Sequence, residues 1–285
     1  MRNRESIERL GGPSPDGVVR FVVAGDSGAW PDPTADAIFA ALLAQVGRLD
    51  PRPTFFANLG DFAGPGTRER HEHYLGLVAG LPLPSLCVVG NHDLDDSSGA
   101  EVFREVHGPP NFTFAVGHTR FVAIDAAPGC VGEVVIEEPL EGVEGPREKA
   151  LAYLEEQLAL ADEPNRVVLM HIPPFLHGRF APHANWGFRR HEERFLEIVR
   201  AGGVRLVCAA HGLAFDTCQV DGVRFVMSGG GGTGLCSHLR GICAEGEGRP
   251  EDRGALFHCV ELSVAADGAV SGRVLQAFGG ERFRF

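Results

Sequence analysis

Five short apolar segments of this chain are each followed by a polar residue that can bind a metal ion. The clearest is 86–89, which runs through Gly90 into Asn91, His92 and Asp93. Asparagine offers an amide oxygen, histidine an imidazole and aspartate a carboxylate, groups that suit metal ions and phosphoryl chemistry. The candidate ligands of the five segments are Asp26, Asp61, Asn91, His171 and His211. Together they predict a mixed oxygen and nitrogen site for Mn, Fe, Zn or a similar ion.

Strand-like and helix-like segments alternate along the chain and would position these residues. The apolar segments 20–24, 54–59, 86–89, 166–170, 204–210 and 223–227 are typical of buried strands, and 32–46, 67–78, 99–107, 146–161 and 190–200 have helical spacing. Hairpins are predicted at 112–125 and 256–276. This pattern predicts a layered α/β sandwich with mixed β-sheets flanked by helices. Because strand ends converge at the edge of a sheet, we expect the five polar residues to meet at one edge.

Length, composition and charge narrow the class of protein. The chain has 285 residues, 44% of them hydrophobic, so it can bury a large core. We expect a single domain over 1–285, in which the polar residues 1–17 form a loose N-terminal arm. The net charge of −12 argues against nucleic acid or an anionic membrane as the main partner. No apolar signal region or membrane-spanning run is present in the sequence, and we expect a cytoplasmic protein.

The order of the motifs resembles the calcineurin-like metallophosphoesterase family, which includes the purple acid phosphatases. GD at 25–26, GD at 60–61 and GNHD at 90–93 are followed by a histidine after each of two later strands. The resemblance covers about residues 20–230. It implies a metallophosphoesterase-like α/β sandwich that holds two metal ions at the sheet edge.

The resemblance also implies a role for each ligand. Asp26 would bind the first metal ion and Asp61 would bridge both ions. Asn91, His171 and His211 would complete the second metal site.

The same resemblance implies roles in catalysis. Asn91 and His92 would contact the substrate, and His92 would protonate the leaving oxygen as a general acid. Asp93 would orient His92 by accepting its ring proton. The expected reaction is hydrolysis of a phosphomonoester or phosphodiester by a metal-activated water, and the expected partner is a small phosphorylated substrate.

The first metal site departs from the family pattern. The usual Asp-x-His motif has Gly28 in place of histidine, and Gly64 stands where purple acid phosphatases supply a tyrosine. The usual Gly-His-x-His motif has Leu213 in place of its second histidine. Either the first site is vacant and the enzyme uses one metal ion, or Asp26, Asp61, water and another ligand refill it.

Several alternatives stay open at this stage. His177, His183 and Arg179 lie in the loop after His171 and are weaker candidates for substrate or metal contact, with a surface position as the alternative. His71, in a predicted helix, is interpreted as a surface residue. Two other functions compete with phosphoester hydrolysis: a one-metal enzyme with a non-hydrolytic or non-phosphoester reaction, and a non-catalytic binding or regulatory relative.

Overall fold

Two six-stranded mixed sheets organise the chain. The structure is a computed structural model that describes residues 2–127, 148–175, 187–188, 191–235 and 256–285. The first sheet has the order β12 (Gly280–Arg284), β11 (Val270–Gln276), β10 (His258–Val264), β1 (Val19–Ala24), β2 (Phe55–Asn58) and β3 (Ser85–Cys87). Here β1, β2 and β3 are parallel, whereas β10, β11 and β12 pair antiparallel.

The second sheet has the order β4 (Phe112–Val116), β5 (Thr119–Ala123), β6 (Asn165–Leu169), β7 (Val204–Ala209), β9 (Val223–Ser228) and β8 (Phe215–Val220). Its four inner strands are parallel, and the edge strands β4 and β8 pair antiparallel. The helices are α1 (Asn3–Glu8), α2 (Pro33–Val46), α3 (Arg68–Val78), α4 (Gly99–Val106), α5 (Glu148–Ala159) and α6 (Glu192–Ala201).

Apolar side chains pack in layers between and outside the sheets. Phe21 and Phe55 of the first sheet meet Phe121 of the second at ring-centroid distances of 5.1 Å. Helices α2 and α3 cover the outer face of the first sheet, and α5 and α6 cover that of the second. The predicted layered α/β sandwich with mixed sheets is confirmed. Strands β8 and β12 are additional to the prediction.

The prediction of a loose N-terminal arm is wrong for residues 3–8. They form α1, and the buried Asn3 amide both donates to the Cys87 carbonyl and accepts from the Cys87 N–H, each at 2.9 Å. The Ser6 hydroxyl donates to the Ser85 carbonyl at 2.6 Å. These polar side chains therefore satisfy the open edge of β3, which would otherwise be unpaired.

The prediction that His71 lies on the surface is also wrong. Its ring is buried, and Nδ1 lies 3.0 Å from Nε2 of the buried His107. Phe62 and Phe103 surround the pair. Burial lowers the pKa of His71 to about 4 and that of His107 to about 3, so both rings are neutral at pH 7.

None of the described helices is both long enough and apolar enough to cross a bilayer.

Candidate metal centre

The five predicted ligands follow the carboxyl ends of five strands, which belong to two sheets and not to one edge. Strands β1, β2 and β3 of the first sheet lead to Asp26, Asp61 and Asn91, and β6 and β7 of the second lead to His171 and His211. The expectation of a single sheet edge is therefore corrected. The two sheets meet at this end of the sandwich, where the His171 ring contacts the Leu59 carbonyl after β2.

Four of these side chains converge on one point. Asp61, His171 and His211 each offer a ligand atom, and these atoms lie within 4.8 Å of one another. Nε2 of His171 is 3.0 Å from Oδ1 of Asn91, 3.2 Å from Oδ2 of Asp61 and 3.3 Å from Nδ1 of His211. The group contains every ligand that the sequence assigned to the second metal site.

The hydrogen bonds of His171 fit a bound cation. Nδ1 lies 2.8 Å from the Leu59 carbonyl, which can only accept, so Nδ1 carries a proton. In the neutral ring, Nε2 then has a lone pair that faces the lone pairs of Asp61 and Asn91. This arrangement requires a cation, either a second proton on His171 or a metal ion. Two imidazoles, a carboxylate and an amide oxygen suit Mn, Fe or Zn.

Electrostatics indicate where that cation is held. Burial opposes charge on both Asp61 and His171, but their mutual attraction dominates. The pKa of Asp61 falls to about 2 and the pKa of His171 rises to about 9. Burial, together with the charge on His171, lowers the pKa of His211 to about 3. The attraction between Asp61 and His171 thus favours positive charge at His171, whose Nε2 lies among the other three side chains.

Local backbone conformation aims the ligands into the site. Asp26, Asp61 and His211 have left-handed φ values of 59°, 57° and 66°, which non-glycine residues rarely adopt. Gly90 allows the next loop to approach, because a Cβ there would lie 2.2 Å from the Asp61 nitrogen. The chain therefore turns abruptly at each strand end and brings the side chains together.

At the predicted first metal site, neither Gly28 nor Gly64 has room for a side chain. A Cβ at Gly28 would lie 2.6 Å from the Phe62 oxygen, and a Cβ at Gly64 would lie 1.8 Å from the Ala29 oxygen. Backbone from the facing loop therefore fills the space that a histidine at position 28 or a tyrosine at position 64 would need. Leu213 offers no ligand atom.

Asp26 lies beside the four converging ligands but is not among the atoms grouped within 4.8 Å in the described ranges. Its Oδ2 accepts the His211 N–H at 2.8 Å. Burial raises the pKa of Asp26 above its ordinary value. Its role as a ligand of a first metal ion stays a prediction.

His92 lies next to the candidate ligand Asp61, and its ring partner is Asp95. The backbone N–H of His92 donates to Oδ1 of Asp61 at 2.9 Å. In the ring, Nδ1 of His92 lies 2.6 Å from Oδ2 of Asp95. Partial burial opposes charge on the ring, but the bond to Asp95 and the charge of Asp61 raise the pKa of His92. Asp95 is not among the residues predicted from the sequence, although its place three residues after His92, one turn along, is a usable signal.

The prediction that Asp93 orients His92 is wrong. Oδ1 of the buried Asp93 accepts the N–H groups of Phe62 and Ala63, and Oδ2 accepts those of Asp61 and Gly90, at 2.8–3.0 Å. Burial raises its pKa, to about 6. Asp93 therefore fixes the loop that carries Asp61 and does not touch the His92 ring through any hydrogen bond in the described structure.

The weaker candidates His177, His183 and Arg179 lie outside the described residues.

Comparisons with known proteins show that other proteins share this fold. The curated proteins contain no significant match to the sequence. Solved structures with the same fold include GAP50, the anchor in the inner membrane complex of Plasmodium, at 16% identity and a TM-score of 0.65, covering 94% of this chain and 88% of that one. A dimetal phosphatase from Danio rerio has 15% identity and a TM-score of 0.60, with 92% and 96% covered.

The purple acid phosphatase PPD1 from yellow lupin (Lupinus luteus) has 15% identity and a TM-score of 0.64. The match covers 97% of this chain but 55% of the lupin protein, so this chain spans about half the length of that enzyme. The family model for calcineurin-like phosphoesterases matches residues 19–214, more than half of the sequence, and the chain therefore belongs to the calcineurin-like phosphoesterase family.

Proposed function

We propose that this protein is a metal-dependent phosphoester hydrolase that cleaves a small phosphomonoester or phosphodiester. The observation that carries the proposal is that Nε2 of His171 lies 3.0 Å from Asn91 and 3.2 Å from Asp61, and that Asp61 in turn accepts the backbone N–H of His92. Metal ligands and a proton donor are thus adjacent, as hydrolysis of a phosphoester requires. Mn, Fe or Zn is the proposed metal.

Each side chain has a stated task in this proposal. A bound metal ion supplies Lewis-acid polarisation of the phosphoryl group and lowers the pKa of a water molecule. Asp61 and His171 would hold that ion, and the Leu59 carbonyl fixes the His171 tautomer by accepting from Nδ1. Asp95 accepts at Nδ1 of His92, so the proton for the leaving oxygen is on Nε2.

The number of metal ions is left with two possibilities. With one ion, the second-site ligands would hold a metal that serves both to orient the phosphate and to activate the attacking water. With two, Asp26 and Asp61 hold the additional ion together with water or another ligand. Two carboxylates and water favour Mg or Mn over Zn at such a site.

A non-catalytic binding protein is the second candidate. It is favoured by the backbone that fills the space beside Gly28 and Gly64. The fold also occurs in GAP50, which is described as an anchor. Against it, a scaffold has no need of the His92–Asp95 pair beside the metal ligands.

Metal analysis combined with turnover of phenyl phosphate tests the proposal, because phenolate, unlike p-nitrophenolate, leaves slowly unless its oxygen is protonated. We expect bound metal in the wild type after Mn loading and loss of that metal in His171→Ala. We expect His92→Ala to keep its metal and lose about 10²–10⁴-fold in kcat. His73→Ala is the matched control, because His73 is exposed and pairs with Asp36. Absence of both metal and turnover in the wild type would support the non-catalytic candidate.

A further inference from the structure

We propose that Trp30 is a specificity-determining residue that binds a flat ring on the leaving alcohol of the substrate. The inference rests on the proposed phosphoester hydrolysis and adds a substrate class to it. The indole ring is 4.9 Å from the His92 ring, centroid to centroid, at an interplanar angle of 53°. It therefore stands at the side of the site from which the proton is donated.

Trp30 lies where the loop between β1 and α2 changes from buried to exposed residues. Its relative exposure is 51%, whereas the four preceding residues 26–29 are buried. Three large apolar side chains are exposed in the described part of the chain, and of these Trp30 contacts the proposed proton donor. An exposed indole gives up favourable burial, and such rings mark binding surfaces when they border a polar site.

The backbone around Trp30 is fixed on both sides. The Ala29 N–H donates to Oγ1 of Thr233 at 3.0 Å, and the Gly28 N–H donates to the Asp61 carbonyl at 2.9 Å. Beyond Trp30, the Asp32 side chain accepts from the Thr34 N–H and caps α2. The free-energy cost of ordering this loop is therefore small when a ligand stacks on the indole.

The chemistry of the step places the leaving group against Trp30. The bond between phosphorus and the ester oxygen breaks while the water oxygen bonds to phosphorus. The ester oxygen takes the Nε2 proton of His92 and departs as the alcohol, and water loses one proton to solvent. The carbon skeleton of the alcohol thus begins beside His92, within reach of the indole. A planar aromatic group, as in an aryl phosphate or a nucleotide that leaves through its sugar oxygen, stacks there.

Two substrates that differ only in the leaving group test this role. Stacking of one ring on an aromatic side chain changes affinity about 5- to 100-fold. We expect Trp30→Ala to raise KM for phenyl phosphate by that factor with kcat nearly unchanged, and to alter kcat/KM for methyl phosphate less than about twofold. Trp30→Phe should recover most of the loss. Phe278→Ala removes an exposed aromatic ring outside the site and is the matched control.

An equal loss for both substrates in Trp30→Ala would overturn the proposal, because Trp30 would then act only on His92. No change for either substrate would overturn it as well.

A binding measurement separates this inference from the proposed activity. Trp30 and Trp186 are the two tryptophans of the chain, so Trp186→Phe leaves Trp30 as its only indole. In that variant, loaded with Mn, we expect phenylphosphonate to quench the fluorescence and to bind about 5- to 100-fold more tightly than methylphosphonate. Equal affinities of the two phosphonates, or no quenching, would refute the role of Trp30 even if the wild type hydrolyses nothing.

Discussion

Asn substitutions at Asp93 and Asp95 separate loop stability from catalysis. The two aspartates are two residues apart, and Asn preserves the shape of each side chain. Asp93 accepts four backbone N–H groups, two on each oxygen. Asp95 instead has one bond, from Oδ2 to Nδ1 of His92. We therefore expect opposite phenotypes.

The expected loss in the free energy of unfolding for Asp93→Asn follows from the number of N–H donors that lose their acceptor. One carboxylate oxygen becomes an NH2 group, which leaves two buried N–H groups unpaired. Each costs about 1–3 kcal/mol, so the free energy of unfolding falls by about 2–6 kcal/mol. At about 2–4 °C per kcal/mol, the expected loss in Tm is about 5–20 °C. A variant at the upper end of this range would yield little folded protein.

The magnitude for Asp95→Asn follows from a single bond to a charged ring. Such a bond contributes about 1.5–3 kcal/mol, and because Asn keeps an acceptor but loses the charge, about half of that is lost, which corresponds to a fall in kcat of about 3- to 13-fold. Because Asp95 raises the pKa of His92, its removal lowers that pKa. His92 must be protonated to act, so the alkaline limb of the kcat profile moves to lower pH.

Urea unfolding and turnover of an aryl phosphate, both at pH 8, are the assays. At that pH Asp93 is ionised, because its pKa is about 6. We expect Asp95→Asn to unfold within about 1.5 kcal/mol of the wild type, since the Asn oxygen can still accept from Nδ1 of His92 and no buried N–H group loses its acceptor. A stable Asp93→Asn protein with the catalytic defect, or a wild-type rate in Asp95→Asn, would refute the assignment.

Three further predictions concern metal binding, the N-terminal helix and acid stability. The apparent affinity for Mn should rise about tenfold per pH unit from pH 6 to 9, because the ion displaces the proton of His171, whose pKa is about 9. A chelator competition in which the Mn affinity does not change with pH would contradict this. Asn3→Ala should lower the urea-measured unfolding free energy by about 1–3 kcal/mol by leaving the β3 edge unpaired, whereas the exposed Arg4→Ala should change it by less than about 0.5 kcal/mol. Burial lowers the pKa of His71 to about 4 and that of His107 to about 3. Below about pH 6.5 these histidines therefore bind protons in the unfolded chain but not in the folded one. The free energy of unfolding should thus fall by up to about 1.4 kcal/mol per pH unit per histidine as the pH drops. A stability that is flat from pH 6.5 to 4.5 would contradict the last prediction.

Local patterns in the sequence were sufficient for the fold class and the ligand types. Short apolar runs alternate with helical spacing, and that periodicity is a property of neighbouring residues. Each ligand follows directly on a strand, so its place at a strand end is a local fact as well. The convergence of the four candidate ligands Asp61, Asn91, His171 and His211 was therefore predictable, whereas their role as metal ligands stays a prediction.

Contacts between distant segments were beyond the reach of such patterns. The sequence offers Asp93 and Asp95 equally to His92, and the choice depends on where four N–H groups of two loops point. From their polar character, Asn3 and Ser6 were predicted to belong to a loose, solvated arm. Only the fold brings them to the open edge of β3.

The sequence by itself determined which chemical groups this protein carries and the end of each strand at which they stand, because strand periodicity and adjacency along the chain are local. Only the tertiary structure decided that the strand ends come from two sheets, that Asp95 holds the His92 ring, and that backbone closes the space beside Gly28. These features depend on distances between residues far apart in the chain, and such distances are set by how the sheets and loops pack.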